Sequence, residues 1–175
     1  VSYTALGGLW GSAATNLIHC VAIVVGLTAV GLVGLSHLDG WANIVTRVDT
    51  ALVATSIDPA QWWGFAGAGW LAVIAMIFSA VIHTPAVSVY VNFATAARSE
   101  RAVLPAFLLG GLIAMPMPWL AGWIAIESVA KYGPGAQLAS YETVTRMATE
   151  INPWLGGIAL AAVLAAVISS GGPIL

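Results

Sequence analysis

Four long apolar stretches set the main pattern of the chain, and the segments between them hold every Asp, Glu, Lys and Arg. A helix needs about 20 apolar residues to cross the hydrocarbon core of a bilayer. The four stretches run over residues 6–38, 62–91, 104–126 and 153–175, and each is long enough. The pattern therefore predicts an all-α, polytopic transmembrane protein with a single transmembrane domain over residues 1–175.

Two local signals refine the start of the fourth helix. Asn152 is a good N-cap residue and Pro153 suits the first helical position, so this helix should begin there. The preceding segment, SYETVTRMATEI, predicts a short helix that lies over the outer face.

The composition supports a membrane protein and argues against several other classes of protein function. Hydrophobic residues make up 60% of the chain and charged residues only 7%, whereas soluble domains carry roughly 25% charged residues. The sequence has no basic patch suited to nucleic acid. It also lacks the usual metalloprotease, nucleophile-elbow, phosphate-loop and dinucleotide motifs. We therefore expect a lipid bilayer as partner, no nucleic-acid partner, no organic cofactor and no enzyme activity.

The charges between the helices predict an orientation in the cell membrane. The segment 92–103 carries Arg98 and Arg101 and is the shortest connection. Because Lys and Arg concentrate in cytoplasmic loops, this segment should be cytoplasmic. Loops 39–61 and 127–152 should then lie outside the cell.

Polar residues interrupt the first apolar stretch at Ser12, Thr15, Asn16 and His19. Ser12, Asn16 and His19 share one helical face, and such groups are costly at membrane depth unless they face protein or water. Two interpretations stay open: an interhelical hydrogen-bond cluster, or the lining of a polar pathway that includes Asn16 and His19.

A second polar interruption, His83–Thr84–Pro85, lies in the second apolar stretch. Proline removes a backbone donor and frees the carbonyl about one turn earlier, and broken helices are common at transporter binding sites. A simple proline kink is the alternative.

Ser169 and Ser170 form a third interruption, in the fourth stretch. Serine hydroxyls in membrane helices usually bond to a carbonyl four residues earlier. The two hydroxyls and the carbonyl of Ala166 would alternatively supply three oxygen ligands for a sodium ion.

Three segments, in matching order, resemble the sodium:solute symporters, which include proline, pantothenate, sialic acid and sugar transporters. The segment NPWLGGIALAAVLAAVISSGGPIL is similar to the eighth core helix of that family, GGLWGSAATNLIH to the fifth, and VNFATAARSERAV to the cytoplasmic link after the sixth. The resemblance covers essentially the whole chain. It implies an internal piece of a longer transporter, with four membrane helices of the LeuT-like five-plus-five inverted-repeat fold.

The resemblance also implies a function and its residues. The expected activity is sodium-coupled import of a small organic solute, such as an amino acid, carboxylate or sugar, by alternating access. The carbonyl of Ala166 and the hydroxyls of Ser169 and Ser170 would bind the central sodium ion. His83 and Thr84 would lie near the gate or the substrate.

The chain departs from the family at the positions of a second sodium site. Asn16 replaces an Asp and His19 replaces a Gln, while Gly172 and Pro173 occupy positions that hold serines in some members. We therefore expect one sodium ion per transport cycle. A transporter-like sensor domain of a signalling protein, and an intramembrane enzyme or channel, are the alternative functions.

Overall fold

A computed structural model of the chain shows an assembly of α-helices. It describes residues 2–86, 94–95, 97, 99–136 and 142–171, with side chains over the same ranges except at 2–7, 9–10, 12, 84–86 and 169–171. No strand occurs among these residues, which confirms the predicted all-α class for the described part of the chain. The helices are α1 (Ser2–His37), α2 (Trp41–Ala54), α3 (Pro59–Trp62), α4 (Trp70–Ala86), α5 (Glu100–Ala114), α6 (Pro116–Tyr132), α7 (Thr143–Ile151) and α8 (Pro153–Gly171).

Two of the described helical segments are long and apolar enough to cross a membrane. One is Ala13–His37 in α1, with a mean hydropathy of 2.4, and the other is Glu100–Tyr132, with a mean hydropathy of 1.7. The second comprises α5 and α6, which continue through Met115 because that residue keeps helical backbone angles. Shorter apolar helices occupy Trp70–His83 and Pro153–Ile168.

The helix predicted over 62–91 begins later in the structure, at Trp70. Residues before it form the short helix α3, where the Asp58 carboxylate accepts a hydrogen bond of 2.9 Å from the Ala60 N–H. The chain then turns through a glycine-rich segment, in which Gly69 has a φ of +90° that L-residues rarely adopt. The glycines therefore interrupt the apolar stretch, and α4 begins only at Trp70. Residues 87–91 lie outside the described part of the chain.

The predicted loop 39–61 contains a helix that the sequence interpretation missed. In α2, Ile44, Val48 and Leu52 are buried at intervals of four residues, so they form one apolar face. This face packs against α6 at Ile126 and Val129. The apolar face of α2 is only 14 residues long, too short for a search based on membrane-spanning length.

The predicted loop 127–152 is also largely helical. The third predicted helix, 104–126, extends in the structure from Glu100 to Tyr132, and Gly133 ends it with a φ of +82°. Helix α7 lies within the segment predicted to form a short helix. Residues 137–141 lie outside the described part of the chain.

Helices α1, α6, α7 and α8 surround one buried cluster. Helices α1 and α8 run antiparallel, since Gly26 of α1 meets Ala162 and Ile158 of α8, while Gly34 meets α7, directly before α8 begins. Helices α1 and α6 run parallel, since Gly31 meets Trp123 and Gly34 meets Glu127. The buried cluster consists of Leu27, Val30, Ile124, Met147, Ala148, Leu155 and Ala159.

Helices α4 and α5 lie outside this bundle. No residue of α5 is buried, and none of the described side chains of α4 is buried. Both expose large apolar side chains, for example Phe78 of α4 and Leu108 of α5, each 66% exposed. A continuous apolar surface of this kind is suited to contact with lipid or with further protein.

Candidate functional site

Helical geometry puts His19, one of the predicted polar residues of α1, on the face that packs against α8. His19 precedes Gly26 by seven residues, which is two helical turns, so both share one face of α1. Asn16 lies about one turn further from Gly26. Gly26 meets Ile158 and Ala162 of α8. Because the helices are antiparallel, seven to ten residues back along α1 correspond to seven to ten residues forward along α8, which is the segment that contains Ala166 and the serine pair 169–170. Asn16 and His19 are therefore level with this segment of α8.

Asn16 and His19 each bury a polar atom that finds no hydrogen-bond partner in the described part of the chain. The side chains are half-buried, and the Asn16 Oδ1 and His19 Nδ1 atoms are shielded and unpartnered among the described residues. Thr15 differs, because its hydroxyl donates a 2.7 Å hydrogen bond to the Gly11 carbonyl within α1. Unpaired buried polar atoms are uncommon and call for an explanation such as an ion, a water or a ligand.

The segment predicted to bind sodium continues α8 as a regular helix. Ala166 is half-buried, and the helical backbone passes through Ser169 and Ser170 to Gly171. The hydroxyls of Ser169 and Ser170 lie outside the described side chains. Counting along both helices from Gly26 puts the backbone of the predicted sodium segment near the level of Asn16 and His19, and the ligand assignment stays a prediction.

His83 lies apart from these residues. It is exposed on α4, a helix that makes at most marginal contact with the other described helices. Thr84 follows it in the same helix, and its side chain lies outside the described part. The predicted role of both residues at a gate or substrate site stays a prediction.

A buried carboxyl group, Glu127 of α6, is the polar feature that the sequence interpretation did not identify. Its side chain is completely buried, and neither carboxylate oxygen has a hydrogen-bond partner among the residues that the structure describes. The carboxyl group and the methyl group of Met147 both lie against Gly34 of α1. Glycine at this position leaves the space that the carboxyl group occupies.

Trp123 lies one helical turn before Glu127 on α6 and is a second polar side chain in this region. Its ring packs against Gly31, where an added Cβ would lie 3.3 Å from the ring. Its indole N–H is buried and lies close to the Glu127 carboxyl group, but the contact does not satisfy hydrogen-bond geometry. The unsatisfied donor and acceptor therefore share one buried region between α1 and α6.

The sequence carried a weak signal for this region. Glu127 directly follows the apolar stretch 104–126, and Gly31 and Gly34 leave space on one side of α1 because they have no side chains. Small residues allow close helix contacts in membranes, but their spacing does not identify which helix approaches. The burial of Glu127 depends on α1 and α7, which are distant in sequence.

A charged network joins the end of α6 to α7. The Glu150 carboxylate accepts a 2.6 Å hydrogen bond from the Tyr132 hydroxyl and pairs with Lys131 at 2.9 Å and with Arg146 at 3.0 Å. These hydrogen bonds, that from Tyr132 first, lower the pKa of Glu150 from 4.5 to about 2. Glu150 is therefore ionised at neutral pH and connects α7 to α6.

Comparison of the chain with protein-family models, curated proteins and solved structures gives no match. Over its described residues, the structure defines an all-helical protein with two helical segments long and apolar enough to cross a membrane.

Proposed function

We propose that the chain forms part of a sodium-coupled symporter in the cell membrane, which imports a small organic solute by alternating access. The observation that carries this proposal is the antiparallel pairing of α1 with α8. Counted along the two helices from the contact at Gly26, this pairing supports a position of Asn16 and His19 near the level of the serine pair in α8. Asn16 Oδ1 and His19 Nδ1 are unpartnered among the described residues.

The chemistry at this level is suited to an alkali cation. The Ala166 carbonyl and the hydroxyls of Ser169 and Ser170 are neutral oxygen donors, and hard cations prefer oxygen ligands. Asn16 Oδ1 adds a neutral oxygen on the opposite helix. One bound sodium ion would interact with both α1 and α8.

Such an ion would couple to the solute through the position of α8 relative to α1. A ligand shifts an equilibrium between two conformations only by its difference in affinity for them. If sodium binds better when the two helices are closely packed, it favours the conformation that accepts the solute. By reciprocity, the solute then raises the affinity for sodium.

The test is binding of radioactive sodium to the purified full-length protein in lipid vesicles. Ser169→Ala and Ser170→Ala should each weaken sodium binding by about 10–100-fold, since a hydrogen-bond-strength contact to a charged group is worth about 1.5–3 kcal/mol. Ser36→Ala serves as the control, because Ser36 is an exposed serine at the far end of α1.

Wild-type sodium affinity in both α8 variants would contradict the assignment. Solute uptake that proceeds equally well without sodium would contradict the coupling. Proline, pantothenate, sialic acid and glucose, each radiolabelled, are the first solutes to measure.

A further inference from the structure

Glu127 of α6 is an acidic side chain in a fully buried position, and no counter-ion lies beside it among the described residues. It is 0% exposed, and it is the only Asp, Glu, Lys or Arg so buried in the part of the chain that the structure describes. Gly34 and Met147 lie beside it and supply neither a charge nor a side-chain donor. The one donor close to the carboxyl group among the described residues, the Trp123 indole N–H, does not satisfy hydrogen-bond geometry.

The cations near Glu127 are engaged elsewhere. Lys131, one turn further along α6, pairs with Glu150 at 2.9 Å, and Arg146 of α7 pairs with that same carboxylate. From α2, the buried residues that face α6 are apolar. The remaining titratable groups described on the packed elements are Tyr132 of α6, exposed His37 of α1, Arg47 and Asp49 of α2, and Glu100 and Arg101 of α5. His19 and Cys20 of α1 also titrate, but they precede Gly34 by about four helical turns.

An ionised carboxylate is strongly disfavoured in such a place. Burying a charge without a partner costs far more than burying a neutral group, and intramembrane carboxyl groups commonly serve proton transfer. A metal cation fits poorly, because hard cations take several oxygen ligands. In the described residues no three His, Cys, Asp or Glu side chains come together around Glu127 or elsewhere.

Lys131 links the protonation state of Glu127 to the contact between α6 and α7. A Glu four residues before a Lys on a helix is the favourable order for an ion pair. A charged Glu127 would therefore compete with Glu150 for Lys131. The polar contacts between α6 and α7 would then be reduced to the Tyr132 hydroxyl on Glu150 and the Arg146 guanidinium over the Tyr132 ring, beside the apolar packing of Ile124 against Met147 and Ala148.

We propose that Glu127 is a proton-binding site that is occupied when α1, α6 and α7 pack as described, and that release of its proton to water draws Lys131 from Glu150 and loosens α7. This site is separate from the proposed sodium site in residue, helix pair and chemistry. It makes the packing of α7 sensitive to pH.

The first test is infrared difference spectroscopy of the full-length protein in lipid vesicles between low and high pH. The wild type should lose a protonated-carboxyl band as pH rises. That band should be missing in Glu127→Gln, which imitates the protonated shape, and in Glu127→Met, which retains side-chain length if the first variant folds poorly. Glu142→Gln, an exposed carboxyl group on the same side, should retain the band.

The second test measures the distance between spin labels on α2 and α7. Labels at Thr46→Cys and Glu142→Cys, in a Cys20→Ser background, occupy exposed positions. The distance distribution of the wild type should broaden as pH rises. It should remain narrow in Glu127→Gln and lose its pH dependence in Lys131→Met.

Any one of four outcomes would overturn the proposal. The protonated-carboxyl band is absent from the wild type, or it persists in both Glu127 variants. The distance distribution does not respond to pH in the wild type. The band disappears when sodium chloride is added at constant pH, which would make Glu127 a cation ligand instead of a proton site. Only this last result bears on sodium, so failure of the two proposals can be distinguished.

Discussion

At the scale of single residues, two adjacent glycines of α8 have opposite surroundings. A Cβ added at Gly156 would lie 2.9 Å from Thr149 Cα, a backbone atom that cannot move aside easily, whereas one added at Gly157 would meet no atom within 4 Å. Gly156 therefore allows α7 and α8 to approach closely at their junction.

Replacement of Gly156 by Ala should lower the free energy of unfolding by about 1–3 kcal/mol, the usual cost of overpacking. Gly157→Ala is the matched control and should be neutral or slightly stabilising, since Ala favours helix over Gly by about 1 kcal/mol. Denaturant titration of the protein in detergent micelles, followed by circular dichroism, measures both. Equal stability of the two variants would show that the close approach at Gly156 does not limit packing.

The polar residues show what can be predicted at this scale. Asn16 and His19 follow from the sequence, because their spacing places them on one face of an apolar helix. Glu127 does not follow, because it directly succeeds an apolar stretch and resembles the first residue of a loop. Its burial is set by Gly34 and Met147, which come from two other helices.

At the scale of helices, Glu150 is the residue that connects α7 to α6. Its pKa falls from 4.5 to about 2 in the folded chain, chiefly through the Tyr132 hydrogen bond and then through Lys131 and Arg146. A lowered folded-state pKa contributes stability that is fully present above the unfolded value. This contribution declines as pH falls from about 4.5 toward 2.

The difference in thermal stability between the wild type and Glu150→Gln should therefore be constant from about pH 4.5 up to the pH at which Glu127 loses its proton. It should shrink progressively toward pH 2, since both proteins then carry a neutral side chain at this position. Differential scanning fluorimetry across this range gives the measurement, and Glu142→Gln serves as the control. A difference that stays constant down to pH 2 would contradict an ionic role for Glu150.

Helix α2 illustrates why some elements escape a reading of the sequence. Its buried residues lie on one face, and the rest of the helix carries Arg47, Asp49 and an exposed Val53, so the segment resembles a polar loop. The packing of Ile44, Val48 and Leu52 against α6 provides the stabilisation that a short amphipathic helix lacks alone. Long apolar segments, in contrast, identify α1 directly.

At the scale of the whole molecule, the short helices α2 and α7 lie on the same side of the bundle. Helix α2 follows the end of α1, and α7 precedes the start of α8. Because α1 and α8 are antiparallel, those two ends are neighbours. The end of α6 reaches this side too, where Lys131 pairs with Glu150.

The distribution of arginines predicts that this side faces out of the cell and that segment 92–103 faces the cytoplasm. Cysteines introduced at exposed Thr46 of α2 and exposed Ser99, in a Cys20→Ser background, test this arrangement. On intact cells a membrane-impermeant thiol reagent should label position 46 at once, and position 99 only after permeabilisation. The Cys20→Ser protein alone should remain unlabelled. The two positions lie beyond opposite ends of the segment Glu100–Tyr132 and the helices packed on it. Labelling of position 99 at once, and of position 46 only after permeabilisation, would show the opposite orientation. Equal labelling of both positions on intact cells would contradict a membrane between them.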